Sequence, residues 1–211
     1  MSYTEIYAFD LEGNAHKAGE VHNAFRGSMA VWKIMEKRHL PPFIPNYVKA
    51  CNWYYPGITA EEVTRRLGYE PNRATCYEGT GEEPAQEIWD LCDNLEVPLH
   101  ERIVMYTTFD YCLVKKENIG RVVDAFRAFD GEKLTGLEAQ EKSLKEQADI
   151  LEKLAANPEV VAIGWNGTSV NVAFWITGGG CDEDGEPIPY NCLTGDKHFW
   201  LFDELKEVEA S

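Results

Sequence analysis

The sequence predicts an α+β protein: a mainly antiparallel sheet built from hairpins, with helices packed on one face. Three observations lead there. Stretches rich in β-forming residues come in pairs split by turn signals, the helical periodicities are also grouped, and strands do not alternate singly with helices as in a parallel α/β sheet. With 211 residues, 44% of them hydrophobic and only 10 prolines, the composition is that of a folded chain with one good core. One domain over 1–211 is expected. A sub-lobe boundary falls near 96–102, where a less regular first half gives way to a more regular second half.

Glu5-Ile6-Tyr7-Ala8-Phe9 opens the chain as a β-run and meets a turn cluster, Asp10-Leu11-Glu12-Gly13-Asn14, before a second extended stretch toward Val21. This reads as a hairpin. Phe25, Met29, Trp32 and Met35 then recur at three- and four-residue steps, the stripe of a helix that must end before Pro41-Pro42. Prolines at 41, 42, 45, 56, 71 and 84 break the next stretch into short pieces. Within it Thr59-Ala60-Glu61-Glu62 fits a capping box for a helix running to about Leu67, and Ala85, Ile88, Cys92 and Leu95 share the face of another.

Arg102 to Thr107 and Tyr111 to Val114 read as two short strands. Ile119, Val122, Val123, Phe126 and Phe129 give the clearest amphipathic helix, stopped by Asp130-Gly131. A capping box at Thr135-Gly136-Leu137-Glu138 opens a helix with Leu144, Ala148, Leu151 and Ala155 as its buried line. Val160 to Trp165, then Asn166-Gly167, then alternating Val170, Val172, Phe174 and Ile176 spell a hairpin. His198-Phe199-Trp200-Leu201-Phe202 reads as a terminal strand or helix start that docks the C-terminus.

Acidic residues number 36 against 20 basic ones, a formal charge of −16 that disfavours direct nucleic-acid binding and anionic lipid. The start of the chain lacks the basic and apolar regions of a signal peptide, and no run of about 18 apolar residues occurs, so a soluble, cytoplasmic protein is expected with no membrane partner. The six cysteines, Cys51, Cys76, Cys92, Cys112, Cys181 and Cys192, show no C-x-x-C pair and fit free thiols in a reducing compartment.

Candidate chemistry is sparse. Asp182, Asp184 and Glu186 beside Gly178 to Gly180 and Gly185 offer oxygens of the kind a hard cation such as calcium needs, though the loop lacks the third ligand and distal glutamate of an EF-hand and also reads as an exposed acidic turn. Cys181, Cys192 and His198 are soft-metal ligand types at spacings that match no zinc pattern. Arg65, Arg66 and Arg73 form a basic cluster that could bind a carboxylate or phosphate group, or that pairs with neighbouring Glu61, Glu62 and Glu70 as on a solvated helix face. No P-loop, dinucleotide fingerprint, nucleophile elbow or H-E-x-x-H occurs, so no cofactor is expected and the balance leans away from an enzyme. Trp53, Tyr54 and Tyr55, beside Pro56-Gly57, form an aromatic loop of the kind that anchors protein interfaces, or one that folds back onto the core.

Ile6-Tyr7-Ala8-Phe9-Asp10 with Gly13-Asn14-Ala15, Arg26-Gly27, Leu40-Pro41-Pro42, Gly164-Trp165-Asn166 and Pro189-Tyr190-Asn191-Cys192 resemble uncharacterised proteins of prophages and mobile elements in Gram-positive gut bacteria. The resemblance implies a bacterial or phage setting and an accessory or host-interaction role, with no activity attached. A non-catalytic protein-interaction protein is therefore the leading expectation. The alternatives are a small enzyme or ligand-binding protein, with a cleft between sheet and proline-rich lobe and Asp182 or Asp184 as acid and base, and a DNA-mimic inhibitor.

Overall fold

A computed structural model describes residues 2–23, 28–40, 65, 89–130, 138–168 and 173–207. The chain divides into two compact units, Met1–Trp32 with Cys92–Ser211, and Lys33–Leu91. The aromatic loop at Trp53, Tyr54 and Tyr55, the capping box at Thr59, the proline-broken stretch and Arg66 and Arg73 lie outside the described residues.

The larger unit is α+β and is organised by a five-stranded mixed sheet. Strands β1 (Ser2–Phe9), β2 (Ala15–Asn23), β3 (Cys112–Lys115), β4 (Ala162–Thr168) and β5 (Phe199–Trp200) lie in the order β2-β1-β4-β3-β5. The β1–β2 hairpin forms as its sequence predicts, with Phe9 opposite Ala15 and Ser2 opposite Asn23. A register shift between Ile6 and Tyr7 leaves Ala18 as an extra residue on β2, the kind of bulge that twists an edge strand.

The second predicted hairpin is corrected. β4 lies in the middle of the sheet, antiparallel to β1 on one side and to β3 on the other, so both of its edges are already bonded. Asn166 and Gly167 are paired with Glu5 and Thr4 inside the strand rather than forming a turn. Phe174–Thr177 is a helical turn, while Val170 and Val172 lie outside the described residues. The sheet is also not wholly antiparallel, because β5 joins β3 in parallel through Cys112–Phe199 and Leu113–Trp200. Among the described residues β1–β2 is the one hairpin; long crossovers supply the other pairings.

The helices include α1 (Ser28–His39), α2 (Leu99–Tyr106), α3 (Ile119–Ala128), α4 (Glu138–Ala156) and the short α5 (Phe174–Thr177). The expected strand at Arg102 to Thr107 is α2. It starts after Pro98, and Glu101 through Tyr106 are all buried, so its apolar run carries no helical alternation and matches a buried strand equally well. The helices at 119–128 and 138–156 follow their periodicity, burying Val122, Phe126, Leu144, Ala148 and Leu151. In α1, Met35 is buried and Trp32 donates its indole N–H to Thr108 Oγ1 at 2.7 Å, with its ring edge-on to Phe109.

Successive side chains on a strand point to opposite faces, so Ile6 and its partner Trp165 face one way and Tyr7 and Phe9 the other. On the first face Phe126 of α3 lies against Trp165 and Ile150 of α4 lies over Gly19. The second face is covered by the C-terminal segment and α5 rather than left open. There Tyr7, Phe9, Leu113, Ala162, Trp175 and Tyr190 form one buried cluster. Trp175 is 1% exposed, donates Nε1 to Trp165 O at 2.8 Å and meets Phe9 edge-on at 5.4 Å. Burying a ring of that size is worth about 4–6 kcal/mol of transfer free energy before ordering entropy is subtracted.

Among the described residues no helix is long and apolar enough to cross a membrane.

Candidate functional site

The turn that closes β1 and β2 is organised around one carboxylate. Asp10 Oδ1 accepts the Asn14 N–H at 2.8 Å, and Asp10 Oδ2 lies 2.7 Å from His16 Nε2. The backbone closes the same loop, with Gly13 N–H donating to Asp10 O at 2.9 Å and Asp10 N–H to Asn14 O at 3.1 Å. Desolvation pushes the Asp10 carboxyl up, but the bonds from His16, Asn14 and the Glu12 amide outweigh it and hold the group below the usual carboxylate range.

Gly13 adopts a left-handed φ of +86°, and a Cβ there would sit 2.7 Å from Asn191 Oδ1 and Leu193 Cγ. That close approach lets the C-terminal loop dock on the turn. Asn191 Nδ2 donates to Glu12 O at 2.8 Å and to Asn14 Oδ1 at 3.1 Å, and Cys192 N–H donates to Gly13 O at 2.8 Å.

Opposite the turn, α4 ends and the chain enters β4 through Asn157-Pro158-Glu159-Val160. Asn157 Oδ1 accepts the Glu159 N–H at 3.0 Å, and Val161 N–H donates to Phe9 O at 2.8 Å, so the two segments share a frame. Between them lies an open cleft of about 480 Å³, with Phe9 among its apolar wall residues and Asp10, Leu11, Glu12, His16 and Glu159 at its polar and exposed parts. Glu12 and Glu159 carry no ion-pair partner among the described residues, whereas Lys116 Nζ donates to the Asn157 carbonyl. The cleft is thus acidic, partly apolar and bordered by hydrogen-bonded backbone on both sides.

The His16 ring hydrogen-bonds Asp10 alone among the described residues, so the pair orients an imidazole without presenting it to a thiol or hydroxyl nucleophile. The buried thiols are chemically quiet: burial pushes Cys192 up to about 11 and Cys92 up to about 12, and raises Cys112 well above its ordinary value. A smaller cavity of about 110 Å³ lies beside Thr4, Thr108, Asp110, Gln147 and Trp165, room for about three or four waters.

The residues singled out from the sequence are not brought together here. Asp182, Asp184 and Glu186 occupy an exposed turn closed by the Cys181–Pro187 bridge, in which Asp182 Oδ1 accepts the N–H groups of Asp184 at 3.0 Å and Glu186 at 2.8 Å. Cys181 is exposed, Cys192 is buried, and His198 Nδ1 pairs with the Tyr190 hydroxyl at 2.8 Å; burial lowers the His198 pKa. Among the described residues no three His, Cys, Asp or Glu side chains converge as a metal site. Sequence reading passed over Asp10, Glu12 and His16 because they form a turn signature, and nothing local to Glu159 announces that it faces them.

Comparison with protein-family models, with curated proteins and with solved structures gave no match.

Proposed function

We propose that this chain is a non-catalytic interaction protein, in a mobile-element or accessory setting, that binds a cationic part of a partner protein in the cleft at the β1–β2 turn. The observation that carries the reading is the cleft itself: about 480 Å³, open to solvent, with Asp10, Glu12 and Glu159 on its walls. A chain of formal charge −16 attracts basic partners at long range, and a concave site concentrates that attraction. His16 engaged with Asp10 and no adjoining nucleophile favour binding over turnover.

The test is capture by the immobilised full chain from a bacterial lysate, read by quantitative mass spectrometry at low and high salt, with cross-linking to locate the contact. A stoichiometric partner that cross-links at the turn and is lost from a Glu12→Gln/Glu159→Gln variant is the expected result. A partner cross-linked elsewhere and retained by that variant overturns the assignment of the cleft.

A second reading keeps the cleft and replaces the partner with a small polycation, which the volume and the unpaired carboxylates of Glu12 and Glu159 also favour. Calorimetry with spermidine distinguishes them: saturable heat abolished in the same variant supports the small ligand, and no heat leaves the protein partner.

A further inference from the structure

We infer that residues 190–198 form a proton-sensitive clasp, in which His198 holds the loop shut while its imidazole is neutral and releases it when the ring is protonated. The geometry places the protons. The Tyr190 hydroxyl lies 2.8 Å from His198 Nδ1 and accepts the Lys197 N–H at 3.0 Å. Tyr190 is 3% exposed, and the acceptor its hydroxyl proton meets among the described residues is Nδ1. His198 therefore sits as the Nε2–H tautomer, with Nδ1 as an acceptor. A protonated ring carries N–H on both nitrogens, which turns that acceptor into a donor. The buried phenol proton is then left without a partner.

The clasp ties the two ends of one loop. Asn191 O accepts the Gly195 N–H at 2.9 Å, and a Cβ at Gly195 would fall on the Tyr190 ring and hydroxyl, so residues 191–197 wrap around the phenol. At one end Tyr190 N–H donates to Trp175 O at 2.8 Å and Asn191 docks on the β1–β2 turn; at the other, His198 leads into β5. The rings of Tyr190 and Trp200 pack against His198 edge-on, at 5.8 and 4.8 Å. Trp200 already carries Lys115 Nζ of β3 over its ring at 5.3 Å, and Lys115 is paired in turn with Asp203. Along the loop the charged groups are Asp196 and Lys197, and the turn on which Asn191 docks carries Asp10 and His16. Desolvation, rather than any of these charges, holds the His198 pKa below the ordinary 6.5. The folded loop thus takes up its proton at lower pH than the unfolded chain. The stability His198 lends it is complete above about pH 6.5 and lost as the pH falls below that value.

The test is amide hydrogen exchange of the full chain, followed by NMR at about pH 7.5 and about pH 5.5 and expressed against the rates of the unfolded peptide. Protection of the Lys197 amide, which the closed loop bonds to Tyr190, is expected to fall about tenfold at the lower pH, the loss of one hydrogen bond. His198→Asn puts Oδ1 where Nδ1 stands, an acceptor that does not titrate, and should keep the protection at both pH values. Equal protection of the native chain at the two pH values overturns the clasp. So does a fall that survives in His198→Asn, because it then belongs to another group, such as His16 or Asp10. If the asparagine leaves the loop open at both pH values, the imidazole chemical shifts of the native protein decide. The Nε2–H tautomer at neutral pH, titrating in step with the Lys197 amide, upholds the clasp; the Nδ1–H tautomer, or a titration out of step with that amide, overturns it.

Discussion

Gly164 is the point where the sheet and the C-terminal layer come closest, and replacing it by alanine tests how tightly the second face is packed. A Cβ at Gly164 would lie 2.7 Å from Leu113 Cδ2 and 3.2 and 3.3 Å from Trp175 Cζ2 and Cε2. Leu113 is fully buried and Trp175 is 1% exposed, so neither retreats into solvent. The indole is further pinned by its bond to Trp165 O and by Phe9 and Tyr190 at 5.4 and 5.5 Å. Overpacking of this kind costs about 1–3 kcal/mol, against about 0.5–1 kcal/mol gained from the stiffer unfolded chain, so Gly164→Ala is expected to destabilise by about 1–2 kcal/mol. Trp175→Phe should cost about 2–4 kcal/mol, from a smaller ring and an unpaired Trp165 carbonyl. Phenylalanine removes the two indole atoms beside the new methyl group and, with Trp175 trimmed, leaves room for Leu113 to shift, so the double variant should be less destabilised than the sum by about 0.5–1 kcal/mol. Urea denaturation followed by far-ultraviolet circular dichroism gives all four corners of the cycle at matched slopes. Additive costs, or a Gly164→Ala variant more stable than the parent, would refute the packing of Trp175 over β4.

Gly13→Ala combines a left-handed backbone with a methyl group pressed on Asn191 and Leu193, and should lower stability by about 2–4 kcal/mol in the same denaturation assay; a change below about 0.5 kcal/mol would mean the turn does not dock. Desolvation opposes the charge on Glu5, but hydrogen bonds from Lys17, Tyr7 and Asn166 outweigh it and hold its pKa below the ordinary 4.5. Its stabilising contribution is therefore present above about pH 4.5 and lost as pH falls below, so Glu5→Gln should flatten the acid limb of the stability profile, and an unchanged limb contradicts the network. Of the described cysteines, Cys181 alone should be alkylated in the native protein, with Cys92, Cys112 and Cys192 modified only on unfolding, as peptide mapping after timed iodoacetamide treatment would read.

The elements legible in the sequence are those whose signal is local. The turn cluster at Asp10 to Asn14 between two β-runs gave the first hairpin, and the apolar periodicity of 119–128 and 138–156 gave α3 and α4. Two readings failed where burial surrounds an element. α2 hides its period because Glu101 through Tyr106 are covered on every face, and β4 was given a hairpin partner although β1 and β3 had already taken both of its edges. For the candidate site, each residue was visible but not the set. Asp10 and His16 lie six residues apart, whereas Glu159 arrives from a segment well over a hundred residues further along.

By itself, then, the sequence determined the α+β class, the net charge of −16 and the elements whose faces alternate, because composition and periodicity are read along the chain alone. Strand order, the parallel β5, the second covered face and the cleft were decided only by the tertiary structure. They depend on which backbone edges and side-chain faces are already occupied by distant segments, and that occupancy leaves no trace in local pattern.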